Sequence, residues 1–243
     1  MQNTEPQAAS DPSPRRRRLG ILRFSAVEML IALVLLFVAT PFIEDLPGGE
    51  LIEAILLSLF FLSAVLAVGG RGRMLLLAAV LAIPAVVGKW MNNLQPRVFP
   101  PAIFLVSGMV FLVFVIVNIL RFVLRTRRVN GEVLCASVSA YLSLGLLWAL
   151  AYRLAASTTP TAFAVNVPQT ANQSMSGFTA FYFSFTTLTT LGYGDITPVS
   201  PVARMLAVME SMTGTLYVAV LIARLVALYS TPDPATKSDP PPP

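Results

Sequence analysis

The stretch TLTTLGYGDITP, residues 187–198, places two glycines, a tyrosine and an aspartate directly after a run of threonines. Gly192 and Gly194 can adopt positive φ without the cost of a Cβ atom. Alternating backbone conformations can therefore turn successive carbonyl groups toward one side. Irregular backbone of this kind is tolerated at membrane depth only where it packs in protein or lines a cavity. The stretch therefore predicts irregular backbone with a row of main-chain oxygens that face one side.

The rest of the chain has the composition of a membrane protein, with 56% hydrophobic and 12% charged residues among 243. His is absent and Cys135 is the only cysteine. Intrachain disulfides, His or Cys zinc sites and His-based acid–base catalysis are thereby excluded. We expect no enzyme and no cofactor. We also expect no nucleic-acid partner, because the basic residues lie between apolar runs and form no basic face.

Six apolar runs are long enough to cross a bilayer as helices. They comprise residues 24–43, 51–68, 74–90, 102–124, 133–155 and 202–229. Basic residues concentrate in alternate connections, which predicts that both termini are cytoplasmic. A shorter aromatic run precedes the glycines and predicts a re-entrant helix that ends at Thr189 and is capped by Ser174 or Ser176. The fold class is an all-α membrane protein with six transmembrane helices and a re-entrant helix between the fifth and sixth.

The segment TLGYGD resembles the selectivity filter of the tetrameric potassium channel superfamily, and the similarity extends over about residues 133–229. Its residues are Thr190, Leu191, Gly192, Tyr193, Gly194 and Asp195. The resemblance implies K⁺ sites built from the carbonyl oxygens of the first four residues and the Thr190 hydroxyl. It also implies a homotetramer, because the chain has one such segment. Leu191 stands where the family most often has Val or Ile.

The resemblance further implies residues that support the filter. Tyr193 is expected to point backward into the aromatic side chains of the re-entrant helix, where Tyr182 and Phe183 occupy the family's supporting positions. Ordinary packing is the alternative for these rings. Thr186 stands where some relatives carry a carboxylate behind the filter, which leaves open how this filter resists inactivation.

The last apolar run contains a candidate gate. Gly214 matches the family's hinge position, with close helix packing as the alternative. At helical spacing, one stripe is the candidate cavity lining, and its apolar lower part could close by dewetting. The stripe consists of Ser211, Thr215, Val218, Ile222 and Val226. Glu210 lies away from this stripe, so we expect it to face the fifth or re-entrant helix and to bond Thr186 or Thr187. We interpret Glu210 as a buried structural carboxylate; a proton-sensitive gate is the alternative.

These features divide the chain into four segments. They are a disordered basic cytoplasmic tail (1–22), a four-helix transmembrane domain (23–128), a pore domain (129–230) and a disordered Pro-rich cytoplasmic tail (231–243). The fourth run carries no charge over residues 102–120, and one charge crossing the membrane field is worth about 2.3 kcal/mol per 100 mV. We therefore expect weak voltage dependence. The arginines that follow, Arg121, Arg125, Arg127 and Arg128, are interpreted as an interfacial anchor, with a displaced voltage sensor as the alternative.

The predicted function is passive, potassium-selective conduction. The expected partners are the lipid bilayer, K⁺ and three further copies of the chain, in the plasma membrane of a bacterium. A non-selective cation channel, a secondary transporter and a non-conducting scaffold are the alternatives. A transporter normally shows internal repeats, and the sequence has no second copy of the TLGYGD segment. We interpret Glu53, near one end of the second run, as an acid that reaches the membrane interface.

Overall fold

The computed structural model describes residues 14–43, 46–68, 72–95, 100–126, 130–165, 175 and 177–229. Within these ranges the elements are α1 (Pro14–Ile43), α2 (Gly49–Val68), α3 (Gly72–Leu94), α4 (Pro101–Arg125), α5 (Gly131–Thr158), β1 (Phe163–Val165), α6 (Gly177–Leu188), β2 (Ile196–Pro198) and α7 (Pro201–Tyr229). All helices except α6 are long and apolar enough to cross a membrane. The six spans predicted from the apolar runs are confirmed, and the chain is an integral, multi-pass membrane protein.

Local sequence signals explain several helix ends. The Asn130 side chain accepts a hydrogen bond from the amide of Val133 at 3.1 Å and caps α5. Pro101 occupies the first turn of α4, where its missing N–H costs nothing. The helix α1 begins at Pro14, so it includes residues 14–22 of the segment for which a disordered tail was predicted. Four consecutive arginines are good helix formers, which accounts for the extension. Residues 1–13, 230–243, Ser174 and Ser176 lie outside the described part.

The main hydrophobic core joins the helices α1 to α6. Its fully buried members include Leu36, Phe60, Phe111, Leu112 and Leu146. The helix α4 packs between α3 and α5 of the same chain, and α1 packs against α2, α5 and α6. The first four helices therefore lie directly against the C-terminal helices that carry the TLGYGD segment.

An ion cluster inside the described helices corrects the interpretation of Glu53. Its carboxylate lies 3.1 Å from Nζ of Lys89 and 3.4 Å from Nη1 of Arg153, which places it between α2, α3 and α5. Lys89 is only 4% exposed, and both cations lie over the ring of Phe104 on α4. Glu53 is thus an internal counter-ion that joins the first four helices to α5.

A two-stranded antiparallel sheet ties the connection after α5 to the exit of the TLGYGD segment. Phe163 pairs with Pro198, Ala164 with Thr197 and Val165 with Ile196. Sequence analysis missed these strands. The alternation in TAFAV and the β-branched pair in ITP were the available signals. The side chain of Ile196 is buried in one cluster with Tyr152 of α5 and Phe183 of α6. The sheet therefore holds the C-terminal end of the TLGYGD segment close to these two helices.

Candidate functional site

The helix α6 is a short re-entrant element that delivers the TLGYGD segment. It ends at Leu188, one residue before the predicted end. The carbonyl oxygen of Thr186 accepts hydrogen bonds from the amides of Leu191 at 2.8 Å and Gly192 at 3.1 Å. The last turn of α6 thus satisfies part of the irregular backbone that follows it. Thr186 meets the segment through its main chain, because its hydroxyl donates to the Phe183 carbonyl at 3.0 Å.

The backbone of the segment alternates in handedness. The φ angles of Thr190, Gly192 and Gly194 are 59°, 53° and 83°, whereas those of Leu191 and Tyr193 are negative. Positive φ at the two glycines was predicted and is confirmed. Positive φ at Thr190 was not predicted, and it is unusual for a β-branched residue. Its amide donates to the carbonyl of Thr187 at 2.9 Å, which helps to hold this conformation.

Two aromatic residues and one acid hold the C-terminal end of the TLGYGD segment. Tyr182 donates a hydrogen bond to Oδ2 of Asp195 at 2.6 Å, and its ring stacks on that of Tyr193 with centroids 6.4 Å apart and planes 3° apart. The hydrogen bond to Asp195 is the main reason that the pKa of Tyr182 rises to about 12. Phe183 lies elsewhere, against the rings of Tyr152 and Phe163. Of the two predicted supporting rings, only Tyr182 is stacked on Tyr193.

The segment is open on one side in the single chain. Residues 189–194 are all exposed, and Tyr193 is 68% exposed despite its stacking. A Cβ atom added at Gly192 or Gly194 would meet nothing within 4 Å. The main-chain oxygens of one chain therefore do not enclose a cation on their own.

Glu210 lies at the junction of α5, α6 and α7 and is fully buried. Its carboxyl group is bonded by the hydroxyl of Tyr152 and lies 2.5 Å from Oγ of Ser184. The expectation that Glu210 faces the fifth or re-entrant helix is confirmed, but its expected partners Thr186 and Thr187 are wrong. Successive residues on a helix are about 100° apart, so Ser184 points to nearly the opposite side of α6 from Thr186.

The hydroxyl group of Ser184 lies within hydrogen-bond distance of two oxygen atoms. Its Oγ also lies 2.7 Å from the carbonyl oxygen of Gly145, so two acceptors compete for one hydroxyl hydrogen. Both contacts are satisfied when Glu210 carries a proton and donates it to Ser184, which then donates to Gly145. Sequence analysis identified Glu210 but missed Tyr152 and Ser184. Hydroxyl groups within apolar runs were the only signal for them.

Gly214 lies at one edge of the predicted cavity stripe, about 40° from Val218 around the axis of α7. A Cβ atom at Gly214 would overlap the carbonyl oxygen of Leu188 at the end of α6, which fits the close-packing interpretation. The hinge role remains a prediction. Along the stripe, Ser211 is half-buried, whereas the four residues below it are exposed in the single chain: Thr215, Val218, Ile222 and Val226. Only 11% of the most apolar 18-residue stretch of α7 is buried, against 61% in α5.

Comparison with known protein families points to the same part of the chain. Residues 140–231, less than half of the chain, match a family described as "Ion channel". A stretch of 53 residues is 38% identical to the inward rectifier potassium channel Kirbac3.1 of Paramagnetospirillum magnetotacticum. This stretch is 22% of the present chain and covers 18% of that relative, so the chain spans about a fifth of the relative it matches. No solved structure gives a significant match. The C-terminal helices thus carry the similarity to ion channels, which favours a channel over an enzyme.

Proposed function

We propose that the protein is a potassium-selective channel that conducts K⁺ passively as a homotetramer with weak voltage dependence. The alternation of φ along residues 190–194 carries the proposal. Such a backbone can present successive carbonyl oxygens to one axis, where they replace the water around a dehydrated cation. The similarity of residues 140–231 to ion channels and the short match to a potassium channel support it.

The exposure of the segment is the reason for proposing four chains. One chain leaves residues 189–194 open and supplies oxygens from one side only. Rotational symmetry about a common axis would place equivalent oxygens on every side of the cation. It would also cover apolar α7 side chains such as Met205, Met212 and Leu216, each of which is about 60% exposed in the single chain. Native mass spectrometry of the purified protein should give four chains.

Ion flux tests the proposed selectivity. The protein is purified, placed in liposomes, and assayed for K⁺ and Na⁺ efflux under equal gradients. We expect K⁺ efflux to be much faster than Na⁺ efflux, since the proposed carbonyl cage is formed from Thr190 to Tyr193. Equal rates would favour a non-selective cation channel. A tetramer that carries neither ion would favour a non-conducting scaffold.

A further inference from the structure

The helix α7 carries three polar contacts at intervals of seven residues. They involve Glu210, Tyr217 and Arg224, which we call the α7 seam. Seven residues are about two helical turns, so the three side chains lie on one face. This face extends from the end of α7 near the TLGYGD segment to the opposite end. Nothing in the proposed conduction mechanism requires such a pattern.

Each member of the seam bonds a different part of the molecule. Glu210 meets Tyr152 of α5 and Ser184 of α6. The hydroxyl of Tyr217 donates to the carbonyl oxygen of Ser137 on α5 at 2.6 Å. The seam thus begins at the re-entrant helix and continues along α5.

The third contact reaches the first four helices. Arg224 donates from Nε to the carbonyl oxygen of Val123 at 3.2 Å and from Nη2 to that of Thr126 at 2.8 Å. Thr126 is the C-cap of α4, and the last carbonyls of a helix lack partners within that helix. A cation is favoured there because the partial charge at a helix C-terminus is negative. Arg224 therefore completes the end of α4 across about a hundred residues of sequence.

At its Arg224 end, the seam lies opposite the lower part of the predicted cavity stripe. Arg224 is about 200° from Ile222 and from Val226 around the helix axis. The bonds from Arg224 to α4 therefore draw α7 toward α4 and move Ile222 and Val226 away from the predicted cavity. The loop between α4 and α5 is only residues 126–130, which keeps α4 beside α5 of its own chain. The first four helices of each chain are placed to act on the same chain's α7.

We propose that the α7 seam positions the last helix outward, and that Arg224 is the residue through which the first four helices keep the cytoplasmic end of the pathway wide. The inference rests on the proposed channel function, and it assigns a role to the first four helices, the fourth of which has no charged residue over 102–120. Arg224 is a positioning residue in this scheme and does not itself contact the ion. Loss of its two bonds lets the four α7 helices close at Ile222 and Val226.

Single-channel recording of variants in bilayers tests the proposal. Arg224→Gln is expected to lower open probability roughly tenfold, given the strength of hydrogen bonds from charged donors, and to leave unitary conductance and K⁺ selectivity unchanged. Arg224→Lys keeps the charge but cannot reproduce the planar fork, so its open probability should lie in between. Arg121→Gln, which removes one exposed cation from α4, is the control and should match the wild type. If Arg224 is only a topological charge, the Lys variant will equal the wild type and the proposal is overturned. An increase in open probability with Arg224→Gln overturns it as well.

Amide hydrogen exchange tests the same contact without any conduction. In Arg224→Gln, exchange should accelerate over the last turns of α4 and the C-terminal third of α7, while the first turns of α7 stay protected. Unchanged exchange at both places would overturn the seam. If the wild-type protein carries no K⁺ flux but Arg224→Gln still accelerates exchange in these two places, the proposed channel function is contradicted and the α7 seam is supported.

Discussion

Helices α1–α4 and helices α5–α7 are held together by different interactions. In the first group most buried contacts are apolar, and the described ion pairs centre on one carboxylate, that of Glu53. In the second group, buried hydroxyls, a buried acid and irregular backbone meet within a few residues of the TLGYGD segment. Apolar packing tolerates many side chains of similar volume, whereas a hydrogen-bonded backbone tolerates few. Substitutions in the second group should therefore alter function most, and those in the first group should alter stability.

The largest effect is expected from Gly192→Ala. A Cβ atom would meet nothing within 4 Å, so any loss comes from the positive φ of 53° and not from a clash within the chain. Left-handed backbone costs roughly 1–2 kcal/mol for a residue with a side chain, and four chains would share one filter. We expect K⁺ flux in liposomes to fall to background. Gly131→Ala is the matched control, because Gly131 also has open space around its Cα but lies outside the left-handed region. Retained K⁺ flux in Gly192→Ala would contradict the expectation that substitutions in the second group of helices alter function most.

Glu210 provides the next test, because it can be replaced in two ways. Glu210→Leu leaves the hydroxyl of Tyr152 without its acceptor and the oxygen of Ser184 without its donor, at about 1–3 kcal/mol for each buried group. We expect this variant to lose most of its K⁺ flux or its tetramer. Glu210→Gln can accept from Tyr152 and donate to Ser184, as the protonated acid does, so its flux should stay near that of the wild type.

A comparison of Glu210→Gln with the wild type distinguishes a structural role of Glu210 from a role as a proton-sensitive gate. Under the structural interpretation, open probability in Glu210→Gln follows pH in the same way as in the wild type. Recordings across a pH series measure this directly. A wild-type pH response that disappears in Glu210→Gln would show that the proton on Glu210 controls opening.

An intermediate effect, on stability, is expected in the first group of helices. Glu53→Gln removes the carboxylate between Lys89 and Arg153 and leaves two cations side by side, one of them 4% exposed. Breaking a buried ion pair in this way costs about 3 kcal/mol. The thermal unfolding midpoint in detergent should fall, while the ratio of K⁺ to Na⁺ flux stays unchanged. Glu50→Gln, one turn earlier and exposed, is the control. A change in ion selectivity would show that the two groups are not separable.

The spans, the re-entrant helix and the positive φ at the two glycines could be predicted from sequence because each depends on local properties. Apolar length sets a transmembrane helix, and only glycine takes left-handed backbone without a penalty. The partners of Glu210 and Glu53 could not be predicted in the same way. They depend on which helix faces which, and a shift of two residues along α6 selects Ser184 in place of Thr186. The sheet between β1 and β2 was missed because strands of three residues give only a weak alternation, and their pairing joins distant parts of the sequence.

The smallest effect is expected from voltage. Over residues 102–120, α4 has no charged side chain, and its two described arginines, Arg121 and Arg125, are exposed near its C-terminal end. A charge contributes about 2.3 kcal/mol per 100 mV only if it moves through the whole membrane potential. We expect these two arginines, near the end of the helix, to move through only a small part of it. We expect open probability to change little over 100 mV, and Arg121→Gln with Arg125→Gln to leave that slope unaltered. A steep conductance change that disappears in the double variant would make the arginines a displaced voltage sensor. The first four helices would then act on the pore through charge movement as well as through the fixed contact at Arg224.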